Sequence, residues 1–309
     1  MDIFVTLVHG LNLAAIYGLM AIGISILWSS VGMINMAHGA TFAASGYAAW
    51  LASEAAKPLI LAAFGKTVWA SYATATVTLG VGAGFGALFG ALIYLLAYLP
   101  IHDKPNFAVR SLIVTLAINL ATVQILLWYF GPRQRALPKL FGFGKIEVLG
   151  VPMRYDQLGA ILSTAVILGL VLLWLRVSRK GLEIRAMMQN PEGAVLSGIS
   201  VRWTALPVMM LTGALAGLAA ILLSQTIFVS PTSGALPLIK GLTIALLGGL
   251  GSVPGAVAGA VIIGLLEATV GALPFLGQRY VLFAQFLFII TVLIIRPRGL
   301  GGLLDETRE

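Results

Sequence analysis

Long apolar stretches separated by short charged intervals dominate the pattern of this chain. Asp, Glu, Lys and Arg are absent from the windows 3–53, 67–102, 111–132, 157–175, 203–239, 241–266 and 280–295. A helix needs about 20 mostly apolar residues to cross roughly 30 Å of hydrocarbon. Nearly every window is that long, and the first has room for two crossings. The pattern predicts an all-α fold, a polytopic transmembrane helical bundle.

About eight or nine crossings are predicted, and some of them are short or broken. The predicted spans are 3–28, 32–53, 68–99, 107–130, 158–176, 205–228, 238–251, 255–272 and 279–295. The segment 238–251 is short and interrupted by glycine, which is typical of half a helix. The intervals between spans are too short to bury cores of their own, so residues 1–309 are predicted to form a single transmembrane domain.

The charged residues predict which loops face the cytoplasm. Basic residues gather around the polar loop 177–204, in a short interval near residue 104 and after the last apolar segment. Cytoplasmic loops of membrane proteins are enriched in Lys and Arg, so we attribute the net charge of +8 to orientation rather than to nucleic-acid binding. Alternation then places 131–156 outside, although it carries five basic residues of its own. Its apolar residues alternate with glycine turns, which is typical of a small hairpin.

Glycines recur at a spacing of four in three of the predicted spans. They are Gly82, Gly86 and Gly90; Gly213 and Gly217; and Gly251, Gly255 and Gly259. Small residues at this spacing let helix backbones approach each other closely in lipid. We expect these positions to mark contacts between helices.

Sequence motifs for catalysis and for metal binding are missing. The chain has no cysteine and three histidines, and it contains neither HExxH nor GxSxG. No two of its histidines have the spacing of a metal-ligand pair. We therefore expect a protein that is not an enzyme and that has no catalytic residues, no metal and no cofactor.

One polar run, 176–202, interrupts the apolar pattern more than any other. Asn190 is predicted to be a helix N-cap with Pro191 at the first helical position. Glu192 then lies in the first turn, where its charge suits the helix dipole, and Gly198 is predicted to end the helix. The resulting short amphipathic helix can dock a soluble partner or lie on lipid headgroups, and we favour docking.

Polar residues and glycine-rich breaks are candidates for a path through the membrane. Asn35 and His38 lie beside a break, where polar groups need partners from protein or water. Glu267 is the only acidic residue within a predicted span, so it either serves the path or lies near the outer surface. The glycine-rich segments 32–46 and 248–264 look like paired interruptions, which mark substrate paths in transporters.

Four stretches of the sequence resemble a known family. The run GLEIRAMMQNPEGAVLSGIS at 181–200 resembles the EAA-type loop region of permease subunits in branched-chain amino-acid ABC importers, of the LivH type. GMINMAHG at 32–39 and GLTIALLGGLGSVPGAVAGAVIIGLLEA at 241–268 are similar to the early and late signatures of that family. RPRGLGG at 296–302 also fits, so the resemblance runs from the first span to the tail.

The resemblance and the breaks together imply two groups of site residues. Coupling to an ATPase would involve Arg185, Asn190, Pro191, Glu192, Gly193, Ala194 and Gly198. The translocation path would involve Asn35, His38, Gly39, Gly249, Gly251, Ser252, Gly255 and Glu267. The loop 177–204 would then be a cytoplasmic coupling loop whose short helix sits in a groove of the ATPase.

The resemblance also implies a multi-component importer in the bacterial inner membrane, with this chain as a multi-pass permease subunit. Its partners would be a second homologous permease subunit (LivM-like), two cytosolic ATP-binding subunits, a periplasmic substrate-binding protein and membrane lipid, with no nucleic acid. The chain contains no GxxxxGK[ST], so the nucleotide site of an ATP-driven importer must lie on another chain.

Other functions remain open from the residues alone. A stand-alone proton-coupled secondary transporter could use Glu267 or His38 as its proton carrier. The same class of ABC permease could carry urea or short amides instead of branched-chain amino acids. An intramembrane enzyme is disfavoured because no motif for one is present.

Overall fold

Helices make up nearly all of the regular structure in the computed structural model of this chain. The structure describes residues 3–65, 67–142, 144–148, 151–273 and 277–301. The helices in these ranges are α1 (Ile3–Val31), α2 (His38–Phe64), α3 (Val68–Ile93), α4 (Leu99–Ile101), α5 (Phe107–Phe130), α6 (Tyr155–Val177), α7 (Arg179–Gln189), α8 (Pro191–Leu196), α9 (Val201–Leu223), α10 (Ala235–Gly248), α11 (Val253–Ala272) and α12 (Val281–Ile295). A π-helical turn at Tyr94–Tyr98 joins α3 to α4.

The predicted all-α membrane bundle is confirmed. Among the described residues, seven helices are long and apolar enough to cross a membrane: α1, α3 with α4, α5, α6, α9, α11 and α12. The apolar α10 is shorter, with 14 residues, and α2 has 27 residues of which many are small or polar. Among the described residues the seven long helices and the shorter α10 give eight apolar helices, within the range that the sequence predicts, and α2 is not one of them.

The helix α1 lies at the centre of the bundle. Its residues are apolar on every face, which is the composition of a helix surrounded by other helices. It packs against α6, α9, α10 and α11, and the side chains of Leu19, Met20 and Ile26 are fully buried. By contrast, α5, α6 and α12 expose large apolar side chains such as Leu120, Leu170 and Phe283. These three helices therefore form much of the surface that lipid or partner chains cover.

The glycine stripes mark helix crossings, as the sequence predicts. A Cβ atom placed on Gly86 of α3 would lie 2.2 Å from the carbonyl oxygen of Gly213 in α9. One placed on Gly217 would lie 2.1 Å from the carbonyl oxygen of Gly82. The two stripes therefore pack against each other, backbone to backbone, with no space for a side chain between them. The third stripe works in the same way, because a Cβ on Gly255 would lie 1.9 Å from the carbonyl oxygen of Gly248.

The predicted hairpin within 131–156 consists of strands β1 (Lys145–Val148) and β2 (Val151–Arg154), paired antiparallel with Lys145 opposite Arg154. Residues 143, 149 and 150 of this loop lie outside the described residues. Asp156, at the start of α6, is buried and accepts hydrogen bonds from Nε of Arg154 at 3.1 Å and from Nζ of Lys139 at 3.4 Å. These contacts hold the hairpin to the end of α6.

Three non-helical segments interrupt the spans. Residues 32–37 connect α1 to α2, residues 224–234 connect α9 to α10, and residues 249–252 connect α10 to α11. The predicted spans leave an interval at or next to each of the three, at 29–31, 229–237 and 252–254. Only the first and the third are predicted as paired glycine-rich interruptions.

The first and second of these segments end beside each other. The carbonyl oxygen of Gly39, in the first turn of α2, would lie 1.9 Å from a Cβ on Gly234. The third segment is in contact with α1 instead, since the N–H of Gly251 donates a 3.1 Å hydrogen bond to the hydroxyl of Ser25. The interruption that meets 32–37 inside the bundle is therefore 224–234 and not the segment at 248–264 that resembles it in sequence.

The chain after α12 returns to the turn between α10 and α11. The N–H of Leu300 donates a 2.8 Å hydrogen bond to the carbonyl oxygen of Leu247, and Gly299 lies against the backbone of Gly249. Gly299 has a φ of +75°, in the left-handed region that favours glycine. The RPRGLGG motif thus makes a packed tail, and its last residue, Gly302, lies outside the described residues.

Candidate functional site

The polar loop between α6 and α9 contains two helices, α7 and α8. The sequence predicts only α8, because α7 is mostly polar and lacks a long apolar face. The hydroxyl of Ser178 caps α7 by accepting a 2.9 Å hydrogen bond from the N–H of Gly181. The carboxylate of Glu183 accepts hydrogen bonds from Lys180 at 2.7 Å and from the hydroxyl of Thr204 at 3.2 Å. These bonds fix α7 between the ends of α6 and α9.

The short helix α8 begins and ends as its sequence predicts. The Asn190 side chain accepts a 2.9 Å hydrogen bond from the N–H of Gly193, and Pro191 occupies the first turn. Both features stabilise a helix start, because they satisfy or remove N–H groups that have no acceptor within the helix. Gly198 follows the last turn with a φ of +84° and ends the helix.

One face of α8 packs on the protein and the other is exposed. Ala194 is buried, whereas Val195 is 51% and Leu196 88% exposed, and Glu192 is exposed beside them. An apolar pair with an adjacent carboxylate is thus presented outward from a rigid, capped turn. Such a surface suits a protein partner, since an exposed apolar patch rimmed by polar groups is typical of interaction sites.

Arg185 lies on α7 rather than on the exposed face of α8. Its guanidinium donates a 3.3 Å hydrogen bond to the carbonyl oxygen of Arg176, and its Nε is buried with no acceptor in the described part of the chain. Its contacts are therefore within the loop, where they join α7 to the end of α6.

An open groove of about 700 Å³ separates α8 from the end of α1. Trp28 and Ser29 of α1 line one side, and Met187, Asn190 and Glu192 line the other. The end of α1 leads directly into the 32–37 segment. The exposed loop and one interruption of the membrane spans are therefore neighbours in the fold.

The residues around the first interruption are buried within the protein. The Asn35 side chain accepts a 2.9 Å hydrogen bond from the N–H of Ala37, which closes a turn just before α2. His38 is 1% exposed, and its Nε2 has no hydrogen-bond partner among the described residues. Its ring lies against Gly23 of α1, where a Cβ would be 3.2 Å from Nε2. Gly39 provides the backbone contact with Gly234 described above.

The candidate residues between α10 and α11 serve packing in this structure. Ser252 caps α11 by accepting a 3.1 Å hydrogen bond from the N–H of Gly255. Gly249 and Gly251 have φ values of +88° and +99°, so the turn needs residues without a side chain at both positions. Gly255 is closed off by Gly248 of the opposing helix.

Glu267 is paired with a residue that the sequence reasoning missed. Its two carboxylate oxygens each accept a 2.6 Å hydrogen bond from Nζ of Lys240, and the Gln285 amide donates a third at 2.9 Å. Nζ of Lys240 also lies 3.1 Å from the Tyr17 hydroxyl. Both charged side chains are less than one-tenth exposed. Glu267 thus belongs to a polar cluster that joins α1, α10, α11 and α12.

A sequence signal for this pair was present. Lys240 is the only charged residue between Arg202 and Glu267, and it lies inside a predicted apolar span. Two lone charges of opposite sign in neighbouring spans are expected to pair, because an isolated charge in lipid is costly. No group of three or more His, Cys, Asp or Glu side chains suited to a metal ion occurs among the described residues.

Comparisons with known proteins cover nearly the whole chain. Residues 6–295 match the family model described as branched-chain amino acid transport system, permease component. The chain is 30% identical to the high-affinity branched-chain amino acid transport system permease protein BraD of Pseudomonas aeruginosa, over 96% of this chain and 94% of that one. It is 27% identical to the corresponding protein LivH of Escherichia coli, over 95% and 94% of the two chains.

A third relative is similar over a smaller part of the chain. The probable branched-chain amino acid transport permease protein LivH of Methanocaldococcus jannaschii is 31% identical, over 64% of this chain and 66% of that one. No solved structure matches the chain. The match of the family model spans both the exposed loop and the three interruptions of the bundle. The chain belongs to the family of permease components of branched-chain amino acid transport systems.

Proposed function

We propose that this chain is the membrane-spanning permease subunit of an ATP-driven ABC importer, and that it moves branched-chain or related small amino acids across the inner membrane. The exposed face of α8 carries the proposal, with Leu196 88% exposed next to Glu192. Leu196 stands on a turn that is capped at both ends. It therefore forms a rigid apolar projection that suits a groove on another protein.

The partner of α8 in this proposal is a cytosolic ATP-binding subunit. The sequence contains no phosphate-binding loop, so ATP-driven transport needs nucleotide sites on other chains. Two such subunits, a second homologous permease and a periplasmic substrate-binding protein complete the proposed importer. The names of the related permeases support branched-chain amino acids as the solute.

A movement of α8 can be passed to the membrane-spanning helices over a short distance. Asn190 and Glu192 face Trp28 and Ser29 across the groove at the end of α1. The segment that follows α1 leads through Asn35 to the start of α2. We propose that the seven coupling residues named above transmit movement along this route, with Arg185 fixing α7 to α6 as a support.

Deletion of residues 192–198 tests this proposal. In proteoliposomes that contain the complete importer, we expect uptake to fall to background while the chain remains in the membrane and ATP hydrolysis no longer responds to the solute. Leu196→Arg should do the same without shortening the loop. Leu182→Arg is the matched control, because Leu182 is 52% exposed on α7 and lies outside α8.

Normal uptake by the deletion variant would contradict the proposal. A second outcome favours the secondary transporter instead. The isolated chain in liposomes would then take up solute in response to a pH gradient, with no ATPase present. Substitution of Glu267 or His38 would abolish that uptake.

A further inference from the structure

The segment between α9 and α10 lies deep within the bundle. Val229 packs on Gly46 of α2, where a Cβ would be 3.2 Å from its side chain. Gly234 touches Gly39, and Gly241 of α10 packs on Met20 of α1. Met20 lies near the middle of α1, which spans Ile3–Val31. The chain thus continues from the end of α9, runs beside α2 and starts a new helix that packs against the middle of α1.

This deep segment is exposed on one side. Thr232 and Ala235 are exposed, as are Leu236 at 54% and Ile239 at 42%. Thr232, in the turn before α10, and Leu236 and Ile239, within α10, are spaced by four and three residues, so the three side chains lie on the same side. The opposite face of α10 is buried against α1 and α11.

The exposed backbone carries polar groups that this chain does not satisfy. The N–H groups of Thr232 and Leu236 have no hydrogen-bond acceptor in the described part of the chain. The Ser233 hydroxyl donates to the carbonyl oxygen of Ser230 at 2.7 Å, which keeps the turn closed but leaves those N–H groups free. Lipid tails offer no acceptor for them. Non-helical backbone at this depth is stable only within protein or beside a water-filled cavity.

We propose that the face formed by Thr232, Leu236 and Ile239 lines the water-filled part of the translocation path. This inference rests on the proposed function, since it assumes that a solute crosses the membrane beside this chain. The face combines a hydroxyl and free N–H groups with two branched apolar side chains. That combination suits a small amino acid, which has a charged head and an apolar side chain.

The buried side of α10 is held in place while the exposed side faces the path. Lys240 follows Ile239 directly and is paired with Glu267. The pair fixes α10 against α11 and α1. Glu267 itself is then a positioning residue, and the lining residues are those on the other face of α10.

The chain has no cysteine, so single cysteines can be introduced without a background. We would place one at a time by Thr232→Cys, Leu236→Cys and Ile239→Cys in the complete importer in membrane vesicles. The probe is a charged methanethiosulfonate, added from each side. Leu120→Cys is the matched control, because Leu120 is 62% exposed near the middle of α5. Ile244→Cys is the buried control on α10 itself.

We expect the cysteines at 232 and 236 to react at least about tenfold faster than the control at 120, because only a hydrated thiol ionises and reacts. Leucine should slow their reaction. Equal, slow reaction at 120, 232 and 236 would overturn the inference. So would reaction only with an uncharged, lipid-soluble maleimide, because the face would then border lipid.

The labelling experiment is independent of the test of α8. Labelling measures water access in membranes and needs no uptake. Slow labelling together with uncoupling by the 192–198 deletion would leave the proposed function standing and remove this inference. Fast labelling together with normal uptake by the deletion variant would contradict the proposed coupling through α8 and would leave the water-lined face standing.

Discussion

Lys240 and Glu267 form an ion pair inside the bundle, with Nζ of the lysine 2.6 Å from each carboxylate oxygen. The two residues are on successive helices, α10 and α11, and both are less than one-tenth exposed. The pair lies beside Tyr17, the central residue of α1. A charge in this position without its partner would be very costly, so each residue makes the other tolerable.

Removal of one partner should therefore destabilise the protein more than removal of both. We expect Lys240→Met or Glu267→Met alone to lower the free energy of unfolding by about 3–5 kcal/mol, because one buried charge is left unpaired. The double variant should regain most of that loss. Thermal unfolding in detergent, read as a double-mutant cycle, measures the difference.

The exposed pair Lys180 and Glu183 is the control for this cycle, with the same residue types and an N–O distance of 2.7 Å. Lys180→Met should cost less than about 1 kcal/mol, because solvent screens an exposed pair. If the two pairs respond equally, the cluster around Glu267 is hydrated and does not hold α10 in place.

The crossing of α3 and α9 should not tolerate a methyl group. We expect Gly86→Ala to destabilise the protein by about 1–3 kcal/mol, because the new Cβ collides with a backbone carbonyl rather than with a side chain that can move. The colliding atom is the Gly213 oxygen, 2.2 Å away. Thermal unfolding in detergent checks the prediction.

Gly84 lies on the same helix two residues away, and a Cβ there meets no atom within 4 Å. Gly84→Ala should leave stability unchanged or raise it by up to about 1 kcal/mol, as expected for alanine in a helix. Equal losses of stability at positions 84 and 86 would mean that the flexibility of glycine, rather than the close contact between α3 and α9, explains why glycine occupies these positions.

Loss of the N-terminal cap of α8 should weaken the coupling of ATP hydrolysis to uptake without disturbing the membrane-spanning helices. Asn190→Ala removes the side-chain oxygen that accepts from the N–H of Gly193, a loss of about 1 kcal/mol for the helix start. We expect solute uptake to fall roughly fivefold if docking needs this turn preformed. Asn190→Asp keeps the acceptor and should retain uptake, whereas equal uptake by all three proteins would exclude a role for the cap.

The hairpin of β1 and β2 should depend on a single carboxylate. Asp156→Ala removes the acceptor shared by Arg154 and Lys139, and also an acidic residue from the first turn of α6. We expect faster proteolytic cleavage in 131–156 and a loss of about 1–2 kcal/mol. Glu147→Ala is the control, because Glu147 is exposed on β1 and should have no effect. An unchanged rate of cleavage in the Asp156 variant would show that this carboxylate does not hold the hairpin to α6.

Local signals in the sequence predicted local structure well. Asn190, Pro191 and Gly198 set the bounds of α8, because capping depends on residues within one turn. The four-residue glycine spacing also predicted close helix crossings, because residues four apart lie on the same face of one helix. It did not predict that the stripe at Gly86 would meet the stripe at Gly213, since that choice depends on the packing of the whole bundle.

Features that depend on distant contacts were missed. Lys240 and Glu267 are 27 residues apart, and their pairing needs α10 and α11 to lie side by side. The predicted spans leave 229–237 as a connection, but nothing in the sequence indicates that the part around Thr232 lies deep within the bundle. Its depth is set by Gly39 and Gly234, which only the fold brings together.

The central position of α1 has a consequence for how relatives of this chain diverge. A helix that is surrounded by other elements can change a residue only if several others change with it, because packed interiors leave no free volume. Leu19, Met20 and Ile26 should therefore vary little in size between species. The outward faces of α5, α6 and α12 face no such restriction, so most accepted substitutions should accumulate there.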